Sequence, residues 1–282
     1  MMKRFIALLT VLTMVASPFT ASAIPAESII ADMNFAMMSF DAPALTSGQA
    51  NKQGAVYKYN KVFSKGSIVV DVLVTINEIS NATVVNFDNE ANNKTRFQPV
   101  ITSGNEGFVN FKFDFVLGGT NTPVRIKNYY LTGIDIDGLS STKREFHEIS
   151  AFNSYKVNQP TQLVISTNNA STRFAGRTTS LDGIVFHDSC AYIASYTQPI
   201  STTTIKLGNT GAMDDRMFSL NFGEPGGVLT NPVDVITPTP TPAPTVAPTA
   251  LPTAVPTAVP TAVPTAVPTA VPTAVPTAVP TA

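Results

Sequence analysis

From Ala55 onward the chain alternates apolar and polar residues with a period of two. Val70, Val72, Val74 and Ile76 form one such run. Val109, Phe111, Phe113, Phe115 and Leu117 form a second, with Asn110, Lys112 and Asp114 between them. Successive side chains of a strand point to opposite faces, so this alternation predicts strands with one face buried and one wet. Val124, Ile126, Tyr130, Ile134 and Ile136 continue the buried parity, while Arg125, Lys127, Asp135 and Asp137 take the other. That parity makes Tyr129 the exposed ring of the Tyr129–Tyr130 pair. Further strands are expected at Leu163–Ser166, Gly183–Phe186 and Met217–Phe222, the last with Phe218, Leu220 and Phe222 inward. Turn-forming segments such as Gly118–Pro123 separate them. Many short strands with little helix predict an all-β fold, an antiparallel β-sandwich with a jelly roll as the second architecture.

The pattern differs at both ends. Ile29, Ile30, Met33, Ala36, Met37 and Phe40 fall at helical spacing, which predicts a short N-terminal helix. Before it, Lys3-Arg4 precede an apolar run from Phe5 to Ala16, and Ala21-Ser22-Ala23 follow. This is the anatomy of a secretory signal peptide, with cleavage expected after Ala23. From Thr237 to Ala282 there is no charge and no aromatic ring, only Thr-Pro and then Pro-Thr-Ala-Val repeats. Frequent proline excludes helix interiors and sheet ladders and favours polyproline II. Fully extended, such a tail reaches on the order of 140 Å. The expected organisation is therefore residues 1–23 as leader, 24–236 as a β-sandwich domain, and 237–282 as a stalk or linker.

Charge excludes some functions. Losing Lys3 and Arg4 leaves 16 basic against 19 acidic residues, a net charge of −3. A nucleic-acid binder needs a basic face, which this balance does not supply. No second apolar stretch approaches the roughly 20 residues needed to cross a bilayer. The single cysteine, Cys190, cannot form an internal disulfide and reads as a small buried hydrophobe.

The segment Gly133-Ile134-Asp135-Ile136-Asp137-Gly138, with Glu145, His147 and Glu148 beyond it, is the most specific constellation. In a regular strand Asp135 and Asp137 share a face, and two close carboxylates need a compensating cation. Ca²⁺ prefers oxygen ligands of this kind, so Asp135, Asp137, Glu145 and Glu148 are the candidate metal ligands. The spacing is not that of an EF-hand. An ordinary Asp-Gly turn, neutralised by Arg125 and Lys127, is the alternative. His147 shares a strand face with Glu145. No Gly-x-Ser-x-Gly elbow or zinc spacing is present, and no residue is assigned a catalytic role. The lack of tryptophan weakens a sugar-binding reading. Asn81, Asn93 and Asn169 head N-x-Ser/Thr sequons that glycosylate only in a host with that chemistry.

The run Phe111-x-Phe113-x-Phe115, then Gly119-Thr120, Pro123-Val124 and Asp135-Ile136-Asp137-Gly138, resembles β-sandwich modules in secreted surface proteins of bacteria and microbial eukaryotes. The resemblance covers about 55–152. It implies extracellular placement and favours Ca²⁺, and it brings no defined activity. The expected function is a secreted or surface-associated, non-enzymatic module with an adhesive or structural role. Its partner would be a cell-surface or matrix component, glycans included. A secreted glycan hydrolase or lyase, or a glycan-binding protein, is the competing reading.

Overall fold

The computed structural model describes residues 29–89, 93–168 and 171–236. The expected leader and the 237–282 repeats lie outside the described residues, as does Asn169. In chain order the strands are β1 (Ile30–Asp32), β2 (Ala44–Ser47), β3 (Val56–Lys65), β4 (Ile68–Asn86), β5 (Val100–Leu117), β6 (Arg125–Lys127), β7 (Tyr129–Ile134) and β8 (Glu145–Ser150). They continue as β9 (Ser154–Asn158), β10 (Val164–Thr167), β11 (Ser171–Ala175), β12 (Tyr192–Tyr196), β13 (Thr202–Asn209), β14 (Met213–Met217), β15 (Ser219–Asn221) and β16 (Pro232–Ile236).

The larger sheet runs β10-β11-β8-β13-β5-β4-β3-β2, with β14 also on β5; the smaller runs β15-β7-β12-β9-β16. Neighbours within both are antiparallel. One apolar core lies between them, as a sandwich requires. Phe113 and Phe115 of the larger sheet meet Phe222 at ring distances of 5.0 and 6.4 Å, and Phe174 stacks on Tyr192 of the smaller at 4.0 Å. The alternation predicted this: Val70, Val72, Val74, Ile76, Val109, Phe111, Phe113 and Phe115 are fully buried.

Three expectations fail for local reasons. There is no N-terminal helix: Ile30–Asp32 pairs in parallel with Arg125–Lys127, and Asn34 and Phe35 then take φ of 49° and 57°. Asp32 Oδ1 accepts from the Asn34 N–H and from Asn128 Nδ2, which fixes a turn in place of a helical one. The Tyr129–Tyr130 assignment is reversed. Asn128 adopts φ 54°, which shifts the parity, so Tyr129 is buried and Tyr130 lies half-exposed against Phe35. Gly183–Phe186 is loop. Among the described residues there is no α-helix, and no helix long and apolar enough to cross a membrane.

Candidate functional site

The acidic constellation sits where β7 ends and β8 begins. The regular strand stops at Ile134, because Asp135 turns into the left-handed region at φ 59°. Asp137 and Glu145 are then brought together across the turn. The Glu145 N–H donates to the Asp137 carbonyl at 2.8 Å, and the Asp137 N–H reaches Glu145 Oε2 at 3.4 Å. Gly176 lets a second chain segment lie against them, since a Cβ there would stand 2.4 Å from the Ile136 carbonyl oxygen.

The compensating charge is Arg216 of β14. Its Nε donates to Glu145 Oε1 at 2.6 Å and its Nη2 to Asp137 Oδ1. Both carboxylates are 1% exposed and the arginine 21%. The other Asp137 oxygen accepts the Leu181 N–H. Arg125 and Lys127, the expected neutralisers, are committed elsewhere: Arg125 donates to the Pro199 carbonyl and Lys127 pairs with Asp32.

Glu148 does not join the group. It is three residues beyond Glu145 on the same strand, so it faces the other way. There it pairs with Arg173 at 3.1 Å and Lys206 at 3.8 Å, in register across β11, β8 and β13. Among the described residues no three His, Cys, Asp or Glu side chains are placed to hold a metal ion. His147 is buried in the core, its ring against Tyr192 and Phe218. Burial lowers its pKa to about 3, so it is neutral.

The second histidine forms no triad. Ser189 Oγ lies 2.9 Å from His187 Nδ1, and Asp188 approaches that same nitrogen at 3.7 Å. A serine–histidine–aspartate relay uses both ring nitrogens. Cys190 is buried as expected, and burial first, then Asp135, pushes its thiol up to about 12. Of the sequons, the exposed Asn81 donates its amide to the Asn105 carbonyl, and Asn93 Oδ1 accepts from Thr95.

Burial raises Asp135 to about 7, with Asp137 adding to the effect. Burial raises Glu145 to about 8 against the pull of Arg216. The folded state thus holds protons that the unfolded chain releases near pH 4. Such a contribution is complete below that range and is lost as pH rises through the folded values. His147 works oppositely, but only below its ordinary value near 6.5. Between pH 6.5 and 8.5 the carboxyls, joined toward the upper end by the Cys190 thiol in the same direction, make the unfolding midpoint fall. A midpoint that rises over that window in a thermal melt would contradict the assignment.

No protein-family model matches the chain, and comparison with curated proteins gives no match. Among solved structures it is similar to the N-terminal domain of the Streptococcus gordonii adhesin Sgo0707, with 11% identity and a TM-score of 0.42. The match covers 62% of this chain and 48% of that one, so the chain spans about half that structure's length. A likeness this slight adds nothing to the reading of the site.

Proposed function

We propose that this chain is a secreted or surface-displayed β-sandwich module with an adhesive or structural role and no catalytic one. One observation carries the reading: the carboxylates that look like chemistry in the sequence are bound to Arg216. Asp137 and Glu145 share one guanidinium. A glycosidase needs its two carboxyls on either side of a scissile bond, with room for substrate between them. Here the arginine occupies that room. The leader-like start and the spacer-like tail read from the sequence support display outside the cell.

Calcium bound by Asp135, Asp137 and Glu145 is the second reading. Asp137 and Glu145 meet at Arg216, so a calcium ion would have to displace the arginine first. The arginine already supplies one positive charge and two donors where the ion would bind.

Attachment under flow tests the proposal. Beads carrying residues Ile24 to Ala282 should adhere to a panel of matrix proteins and glycans at low shear, where bare beads wash away. Absence of attachment, together with turnover of any glycan in the panel, would overturn it.

A further inference from the structure

A second group of polar side chains lies buried beside the acids, on the face of the smaller sheet turned away from the core. Phe97 and Leu220 exchange backbone hydrogen bonds of 2.9 and 3.1 Å across an antiparallel bridge. That register sets Gln98 opposite Ser219 and Arg96 opposite Asn221. β15 in turn pairs Ser219 with Ile134 and Asn221 with Thr132. Because side chains alternate along a strand, all of these share one face, and Phe97 and Leu220 take the other.

The row is nearly sealed from solvent and poorly satisfied. Gln98 and Ser219 are 0% exposed and Asn221 1%. Both ends of the Gln98 amide, Ser219 Oγ, Asn221 Oδ1 and Arg96 Nε have no hydrogen-bond partner. Asp135 Oδ1, one residue past the end of β7, also lacks a partner. Buried polar atoms normally find partners, so a cluster of orphans asks for one.

The loop of residues 177–187 covers the Ile134 and Arg96 ends of this face, together with Val228 and Leu229, while Asn221 donates to the Thr95 carbonyl and Thr132 to the Gly223 carbonyl. Ile184 packs against Ile134, Ala191 and Val228, and Phe186 lies under the Arg96 guanidinium at 4.7 Å. The Leu181 N–H ties the loop to Asp137. Phe186 is 46% exposed, which places an aromatic ring at the edge of the buried polar row.

We propose that the row is the floor of a sugar-binding site closed by the 177–187 loop, taking one neutral hexose or N-acetylhexosamine unit of a glycan. The floor offers an acceptor at Asn221 and both donors and acceptors at Gln98 and Ser219. Planar amide groups of this kind bind adjacent hydroxyls in pairs. The Phe186 ring suits the C–H face of a sugar. A phosphate or an acidic sugar fits less well, because Arg216 is held by Asp137 and Glu145 and Arg96 rests on Phe186. Entry requires the loop to swing away. This inference rests on the adhesive reading and supplies its ligand class.

Saturation-transfer NMR on residues Ile24 to Ala282 tests it, with glucose, galactose, mannose and N-acetylglucosamine as separate probes at millimolar concentration. At least one probe should receive saturation from the wild type. Gln98→Met and Ser219→Ala should weaken that binding about tenfold, the loss of roughly one hydrogen bond to the ligand. Their unfolding midpoints should match or exceed the wild type's, since each removes a buried orphan. If Gln98→Met does not fold, Ser219→Ala carries the comparison, and hydrogen exchange in residues 178–187 of the wild type should slow with the bound probe. No transfer from any probe, or equal transfer in both variants, overturns the site. Bead attachment without saturation transfer removes the site and leaves the adhesive reading; transfer lost in the variants without attachment does the reverse.

Discussion

Replacing Arg216 with methionine is expected to cost about 3–5 kcal/mol of folding stability, the usual penalty for stranding a buried charge. Arg216 is the shared partner of Asp137 and Glu145, both 1% exposed. Methionine preserves much of the volume and removes the charge and the donors. The two carboxyl groups would then lose their shared donors and have to draw in water. Burial already raises Glu145 to about 8, so protonation absorbs part of the loss and makes the variant's deficit grow with pH. The effect would be read as a lower midpoint in urea unfolding at pH 7, with a larger shift at pH 8.5. A surface ion pair such as Lys112–Asp114 is the contrast, since exposed pairs contribute about 0–1 kcal/mol.

The second large effect belongs to the seam between the sheets. Phe113→Ala should destabilise by about 3–5 kcal/mol, combining lost burial with the cavity left behind. Phe113 is fully buried, and its ring contacts Phe97 at 5.4 Å, Phe222 at 5.0 Å and Phe40 at 6.4 Å. Those three rings come from segments far apart in the chain, so collapse around the void would have to move several elements together. The neighbouring Lys112→Ala, on the outer face of the same strand, should change stability by less than about 0.5 kcal/mol. Equal losses from the two substitutions would mean that β5 does not bury one face and wet the other.

That asymmetry is also why β4 and β5 were readable from sequence. A strand packed on one side must alternate, and Val109 to Phe115 does so without a break. Readability failed where a single residue altered the backbone. Asn128, in the left-handed region, exchanged the places of Tyr129 and Tyr130. At the N-terminal end, apolar residues spaced like a helix were placed instead by a strand and an Asp32-anchored turn. Met33 and Phe40 of that stripe are buried, but Ile30 is 41% exposed and Ala36 is exposed, while Ala31 and Met38 outside it are buried, so the spacing fixed neither the path nor the buried set.

The sequence shows the acids but not the arginine that binds two of them. Asp135, Asp137 and Glu145 stand close in sequence, so a turn could gather them. Arg216 lies 79 residues beyond Asp137, and it is brought near by the pairing of β14 with β5 and of the adjoining β15 with β7, which sets Ser219 against Ile134. Its surroundings, Asp214-Asp215-Arg216, read as a solvated charged run. Glu148 was recoverable: a period of two already places it opposite Glu145 on β8. The buried row of Gln98, Ser219 and Asn221 left no signal, because polar residues beside phenylalanines look like the wet face of an ordinary strand.

Urea unfolding of Arg216→Met beside the triple variant Arg216→Met/Asp137→Asn/Glu145→Gln tests the central claim, that the acidic turn is a neutralised structural joint. With both carboxylates converted to amides neither partner of Arg216 is stranded as a charge, so the triple variant should recover most of the stability lost by the single one. Calcium or a chelator should leave wild-type unfolding unchanged. A triple variant as unstable as Arg216→Met, or a wild type stabilised by calcium, would contradict the account.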